Sequence, residues 1–191
     1  AGGVESMSNV EHYTTGARRG TKMGDVALWD RLTRGRLMSQ PIERFGVISG
    51  MIETAENLAK DYDISREAAD EYAVSSHQKA AAAWDAGKFD AHTVPIDVPQ
   101  RRKDPIHFAR DEGFRPDASM ESLGGLRALE KDGIVTAGNA SQQNDASAAC
   151  LVVAEDKLDE LGLEPMLWFE GWAAAGCDPA RMGIGPVPAT E

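Results

Sequence analysis

Cysteine is scarce in this chain. Cys150 and Cys177 are the two present among 191 residues, and they stand in no metal-ligand spacing. That count argues against a disulfide framework and against a structural zinc site. Long apolar runs are missing as well. No stretch reaches the about 18 consecutive apolar residues of a membrane-spanning helix. Positive charge is in deficit: 20 Lys and Arg face 31 Asp and Glu, for a net charge of −11. Such a balance argues against nucleic acid or an anionic membrane as the main partner. An anionic small molecule would need a local basic pocket against that field. There is no internal repeat and no low-complexity tract. No signal peptide is visible, so a reducing, cytoplasmic compartment is the expectation. What remains is ordinary for a globular protein, 42% hydrophobic and 27% charged. The length suits one domain, or one with a small extra piece.

The chain is best read outward from Asp132–Glu155, DGIVTAGNASQQNDASAACLVVAE. A glycine turn leads into the β-branched run Ile134-Val135-Thr136. Gly138-Asn139-Ala140-Ser141 then forms a small polar loop. After Asn144-Asp145 come small residues and the apolar run Cys150-Leu151-Val152-Val153, which reads as a buried strand. Small residues beside a strand let two backbones pack closely, or let a backbone approach a ligand. The residues alone leave both readings open.

Elsewhere the patterns are local. Gly2 and Gly3, before Glu5-Ser6-Met7-Ser8-Asn9, look like the exit from a strand. Residues 10–24 read as loop, with His12 exposed in it. Val26–Leu32 is spaced like a short helix that Asp25 could cap, and 38–49 is irregular around Pro41. Met51, Ile52, Ala55, Leu58 and Ala59 share one helical face. Residues 66–86 predict a helix capped by Ser65, with Glu67 in its first turn and Gly87 past its end. Ala69, Tyr72, Ala73, Ser76, Ala80, Ala83 and Trp84 mark its expected buried face. A hairpin is expected over 93–109, where the run Gln100-Arg101-Arg102-Lys103 is either a solvated turn or a contact to ligand phosphates. Ser119–Leu126 predicts one or two helical turns, and 156–161 a helix stopped by Gly162. Longer strands are expected over 147–153 and 166–173, paired with each other or completed by other segments. Gly and Pro make 176–188 a loop.

Four stretches together carry a resemblance: AGGVESMSN at 1–9, TAENLAKDYDISREAADEYAVSSHQKA at 54–80, TAGNAS at 136–141 and MGIGPVPAT at 182–190. In this order they resemble the thiolase family, the acetyl-CoA acetyltransferases and 3-ketoacyl-CoA thiolases, over nearly the whole chain. The fold class implied is α+β: a mostly helical loop domain plus a few strands of two incomplete catalytic domains. The implied division is 1–9 for the end of the N-terminal catalytic piece, 10–141 for the loop domain that covers CoA, 142–163 for the return, and 164–191 for the start of the C-terminal catalytic domain.

The resemblance also implies roles. The family acts through a cysteine thioester, a base and oxyanion donors. Neither Cys150 nor Cys177 matches its cysteine motifs, and its nucleophile and histidine motifs have no counterpart here, so no catalytic residue and no metal ligand is expected in this chain. Ser141 matches the serine that bonds the pantetheine arm of CoA. Ser122 matches a serine near adenine and pantetheine, and Arg115 a basic position near the adenine and phosphates. Met51 matches a methionine lining the acyl pocket. Each has a plain structural reading too: a turn hydroxyl, a helix hydroxyl, a surface arginine, an apolar anchor. Gly50 stands where many acetoacetyl-type members carry His, which leaves room for a bulkier acyl group, and Ala146 replaces a usual glycine. The expected ligand is acyl-CoA as substrate, with no tightly bound cofactor. The expected partners are other thiolase segments or subunits in a homo-oligomer. The alternative is an inactive CoA-binding or assembly module derived from a thiolase.

Overall fold

The computed structural model describes residues 1–46 and 50–191; of the irregular segment expected over 38–49, residues 47–49 lie outside the described residues. In chain order the elements begin β1 (Gly2–Glu5), β2 (His12–Tyr13), β3 (Trp29–Asp30), α1 (Arg31–Leu37), α2 (Ile42–Phe45) and α3 (Met51–Asp61). There follow α4 (Arg66–Asp85), β4 (Ile96–Gln100), β5 (Lys103–Phe108), α5 (Met120–Gly124), β6 (Ala146–Ala149), α6 (Leu158–Leu161) and α7 (Pro186–Thr190). The chain forms two units, residues 58–142 and residues 1–57 with 143–191.

In residues 58–142 the long helix α4 is where its caps place it. The Ser65 hydroxyl accepts the Ala68 N–H at 3.1 Å, and Gly87 ends the helix at φ +67°, a region that costs glycine little. The expected buried face holds in part. Ala69, Ala73, Ala80, Ala83 and Trp84 are half-buried, whereas Tyr72 is 79% exposed and Ser76 is exposed. The fully buried residues are Ala81 and Asp70, an acid that reads as solvated and is partnered inside. At the far end of α4, Trp84 packs on Phe89 with ring centroids 5.0 Å apart. Arg110 lies near the Trp84 and Phe114 rings and pairs with Asp85 at 2.8 Å.

The hairpin forms as expected. β4 and β5 pair antiparallel, with Ile96 opposite Phe108 and Val98 opposite Ile106. The turn residue Arg102 sits at φ +63°. Helix α5 has a reciprocal cap between Ser119 and Ser122. The run Ile134-Val135-Thr136 makes only an isolated bridge, Thr136 to Ala128, and Val135 and Thr136 are buried.

In the other unit, β1 pairs antiparallel with β6, Gly2 opposite Ala149 and Glu5 opposite Ala146. Gly2 and Gly3 are thus part of a strand and not its exit. A Cβ on Gly2 would stand 2.7 Å from the Ala148 carbonyl oxygen. β2 pairs with β3, so the expected loop over 10–24 contains a short strand, and His12 faces Asp30 across it at 3.8 Å. The helix expected over Val26–Leu32 begins later: Asp30, not Asp25, caps α1 by accepting the Thr33 N–H at 2.6 Å. The guanidinium of Arg34 then lies 4.6 Å from the Trp29 ring centroid, a cation–π contact.

Three more expectations are corrected in this unit. Strand β6 stops at Ala149, so Cys150–Val153 is not strand, and no strand forms over 166–173. A strand needs a ladder partner for its N–H and C=O groups; Cys150 still exchanges backbone bonds with Ala1, but among the described residues no strand pairs with 151–153 or 166–173. Leu151, Val152, Met166, Leu167, Phe169 and Trp172 are all exposed. The loop expected over 176–188 contains 3-10 turns over Pro179–Ile184 and then α7, with proline near each start, where its missing N–H costs no bond. Helix α6 does stop at Gly162, at φ +63°.

Candidate functional site

The loop singled out in the sequence is held from behind. Asn139 Oδ1 accepts the Thr136 N–H at 2.8 Å, and its Nδ2 donates to the Ile134 carbonyl at 2.9 Å. The Gly138 N–H donates to Thr136 Oγ1 at 3.1 Å, and the Ala140 N–H to the Thr136 carbonyl at 3.0 Å. This is a local side-chain-to-backbone turn. A Cβ on Gly138 would lie 2.6 Å from Leu126 Cδ1 and 2.9 Å from Leu123 Cγ, so the loop rests directly on Leu123 in α5 and Leu126 just after it.

Behind the loop lies a polar cluster that no sequence pattern marked. Asn139 Nδ2 also donates to Asp70 Oδ1 at 2.9 Å. Asp70 Oδ2 takes the Arg66 Nε–H at 2.6 Å, and the Asp70 side chain is 2% exposed. Arg66 Nη2 reaches the Leu123 carbonyl at 2.7 Å and the Leu126 carbonyl at 3.1 Å. Every polar atom of Asp70 therefore has a partner, as a buried carboxylate requires.

Three of the four expected site residues belong to this unit. Ser141 is exposed at the end of the loop, its hydroxyl donating to the Gln142 carbonyl at 3.3 Å. Gln142 Nε2 donates to the Gly113 carbonyl, which ties the loop to the segment carrying Arg115. That segment is fixed to α4 through His77 Nδ1, which accepts the Arg115 N–H at 3.1 Å, and through Gln78, which donates to the Ala118 carbonyl at 3.5 Å. The Arg115 guanidinium is exposed; Nη1 donates to the carbonyls of Glu112 and Phe114, while Nε and Nη2 meet no protein acceptor among the described residues. Ser122 lies in α5 and its hydroxyl serves the helix cap, bonded to Ser119. The fourth, Met51, opens α3 in the other unit and is 54% exposed. Next to it, a Cβ on Gly50 would come within 2.5 Å of a Glu53 carboxylate oxygen.

In the unit of residues 1–57 and 143–191, Ser8 gives Asp145 its N–H at 2.8 Å and its hydroxyl as well. These bonds, the hydroxyl's first and the backbone N–H's second, hold the Asp145 carboxyl below the usual carboxylate range. Thus the segment after the loop is pinned to the Glu5–Asn9 segment. A groove of about 530 Å³ borders the same segment, lined among others by Glu5, Asn9, Glu11, Arg31 and Arg36. It contains none of the four expected residues. Among the described residues neither thiol bonds a basic side chain. Cys150 is exposed, with its N–H on the Ala1 carbonyl at 2.7 Å. Cys177 is exposed, and its thiol lies 3.9 Å from the Met182 carbonyl.

Comparison with known proteins places this architecture. The family model for the N-terminal domain of thiolase matches residues 1–156. The acetyl-CoA acetyltransferase of Cupriavidus necator is 46% identical over 193 aligned residues, which cover 100% of this chain and 48% of that protein. The crystal structure of human mitochondrial 3-ketoacyl-CoA thiolase superposes with a TM-score of 0.87 at 40% identity, over 100% of this chain and 47% of that one. A structure of the same human enzyme in complex with CoA superposes with a TM-score of 0.84 at 40% identity, over 99% of this chain and 46% of that one. The chain spans about half the length of the curated relatives it matches. On the family match, the identity and the shared fold, this chain belongs to the thiolase family.

Proposed function

We propose that the protein to which this chain belongs is an acyl-CoA C-acyltransferase that makes or cleaves 3-ketoacyl-CoA, and that residues 58–142 hold the coenzyme. The observation that carries the reading is the Gly138–Ser141 loop: small residues, an exposed Ser141 hydroxyl, and a backbone fixed by Asn139. A pantetheine arm can run close to such a backbone and take a hydrogen bond from Ser141. Arg115 supports the reading, since its free Nε and Nη2 hydrogens form a planar fork suited to phosphate. Ser122 contacts the adenine end of the arm, and Met51 lines the acyl pocket. A solved relative holding CoA makes the ligand class concrete. CoA is substrate, with no tightly bound cofactor. The acyl group is carried elsewhere than on Cys150 or Cys177, which lack an activating base. The whole protein works as a homo-oligomer in the cytoplasm. The exposed, unactivated cysteines also favour a second reading, a CoA-binding or assembly module without chemistry of its own.

Calorimetric titration of the whole protein with CoA and with pantetheine tests the site. Ser141→Ala should weaken both ligands several-fold at any ionic strength, as expected for one neutral hydrogen bond of about 1 kcal/mol. Arg115→Ala should weaken CoA more at low salt than at high salt and leave pantetheine nearly untouched. Equal loss for both ligands would remove Arg115 from the head group, and an unchanged Ser141→Ala would leave the loop a mere turn. Incubation with acetyl-CoA followed by mass analysis should find no thioester on Cys150 or Cys177.

A further inference from the structure

We infer that Asp70 is the positioning residue for both hydroxyl-bearing segments of this site, which rests on the CoA reading above. Its carboxylate divides the task. Oδ1 holds Asn139, hence the loop that ends in Ser141. Oδ2 holds Arg66, whose Nη2 grips the carbonyls of Leu123 and Leu126, the end of the short helix that carries Ser122. One planar group on a rigid helix thereby sets the spacing between two ligand-bearing segments that lie far apart in sequence.

A carboxylate is an odd choice if stability were the only demand. A buried charge pair gives back little over a well-packed apolar replacement, and its best-attested use is to fix one arrangement among several. Leucine or alanine at position 70 could fill the space, but neither could fix the azimuth of Asn139 and Arg66 together. Short bonds of 2.6 and 2.9 Å at a side chain 2% exposed do so, and in that low-dielectric setting each bond is stiffer than at the surface. Asn139 in turn cannot swing, because its Oδ1 accepts the Thr136 N–H and the second proton of its Nδ2 goes to the Ile134 carbonyl.

The test is Asp70→Asn in the whole protein. The amide offers one acceptor oxygen where the carboxylate offers two, and no charge, so it cannot hold Asn139 and Arg66 together. Dissociation constants for CoA and for pantetheine should rise by the same factor, about tenfold, the size of one coupling between contacting residues. The rise should be non-additive with Ser141→Ala, since Asp70 acts partly through that hydroxyl. A merely structural role would lower the Tm and leave the Kd of the folded protein unchanged, and that result overturns the inference. If Asp70→Asn does not fold, Arg66→Lys replaces it. This variant keeps the Asp70–Asn139 bond, loses the grip on Leu123 and Leu126, and should be non-additive with Ser122→Ala while adding to Ser141→Ala; full additivity with both overturns the inference. The two readings fail separately. If Ser141→Ala and Ser122→Ala leave CoA binding intact, the coenzyme site is misplaced. Amide exchange at Thr136, Gly138 and Ala140 then decides the positioning role alone: faster exchange in Asp70→Asn upholds it, unchanged exchange ends it.

Discussion

The two units of this chain solve the folding problem differently. In residues 58–142, Ala59, Ala81, Ala118, Leu123 and Val135 are buried together with Asp70 and Thr136. No apolar side chain among the described residues of the other unit is buried to that degree; there Leu151 is 82% exposed, Leu167 90% and Trp172 83%. The first unit surrounds a long capped helix and closes its polar groups internally. Among its described residues the second has short helices and two two-stranded ladders, and such a ladder is marginal by itself in water. Large apolar side chains left in water forgo about 25 cal/mol per Å² of burial, so the exposed segments of the second unit add little to its own stability. The lesson is that a capped helix with a satisfied polar cluster needs little else, whereas apolar segments without ladder partners do not become strands.

The largest expected effect comes from separating the units. Residues 58–142 expressed alone should unfold cooperatively in denaturant, with one transition seen by far-ultraviolet and by tryptophan signals from Trp84. The 191-residue chain should sediment as associated species or hold a partner on its exposed apolar segments. A stable, cooperative monomer of the full 191 residues would break the comparison, because the second unit would then be self-sufficient.

A smaller effect sharpens it. Gly138→Ala drives a methyl into Leu126 Cδ1 and Leu123 Cγ, so it should cost about 1–3 kcal/mol of unfolding free energy, the usual range for overpacking a filled core. The same change at Gly3, where an added Cβ meets nothing within 4 Å, should cost clearly less. Denaturant midpoints of the two variants give the contrast; equal losses would mean that the second unit is as tightly packed as the first.

The smallest expected effect is electrostatic. The carboxyl of Asp145 titrates below its ordinary value because Ser8 bonds its charged form. Its contribution is therefore present above the unfolded pKa of about 3.9 and is lost as pH falls through the lower folded value. Nuclear magnetic resonance titration should place Asp145 below that reference, and Ser8→Ala should return it towards the reference. An Asp145 that titrates normally in the parent chain would unpin the two segments from each other.

Much of the first unit was legible because its signals are local. Ser65 and Gly87 bracket α4, Ser119 starts α5, and the alternation over 93–98 before the basic turn at 100–103 marks the hairpin. The polar cluster was not legible. Asp70 looks like any surface acid on a helix, and its partner Asn139 lies 69 residues away. The same holds for His77 and Gln78, whose bonds to backbone at Arg115 and Ala118 bridge gaps of 38 and 40 residues. The apolar run Cys150–Val153 and the alternation over 166–173 both spell strand, because such patterns report a tendency to be buried, while a strand is made by its neighbour. The loop was visible as a turn from Gly138 and Asn139 alone; the roles offered for Ser141, Ser122, Arg115 and Met51 came from family likeness, since no periodicity distinguishes a ligand hydroxyl from a solvated one.

Ser122 carries a last consequence. A hydroxyl has one proton to give and two lone pairs to lend. In α5 the proton goes to the Ser119 carbonyl, and the lone pairs receive the Ser119 N–H and the Ser119 hydroxyl, at 3.0, 3.0 and 3.2 Å. Its valence is full before any ligand arrives. A ligand atom can bond Ser122 only by evicting one of these, and the cheapest to evict is the rotatable Ser119 hydroxyl, which still receives the Ser122 N–H at 3.1 Å. Affinity at this position is thus an exchange rate between a ligand and a helix end. An alanine scan that reads Ser122→Ala as a lost ligand contact would be counting the unravelled cap, and Ser119→Ala is the control that tells the two apart.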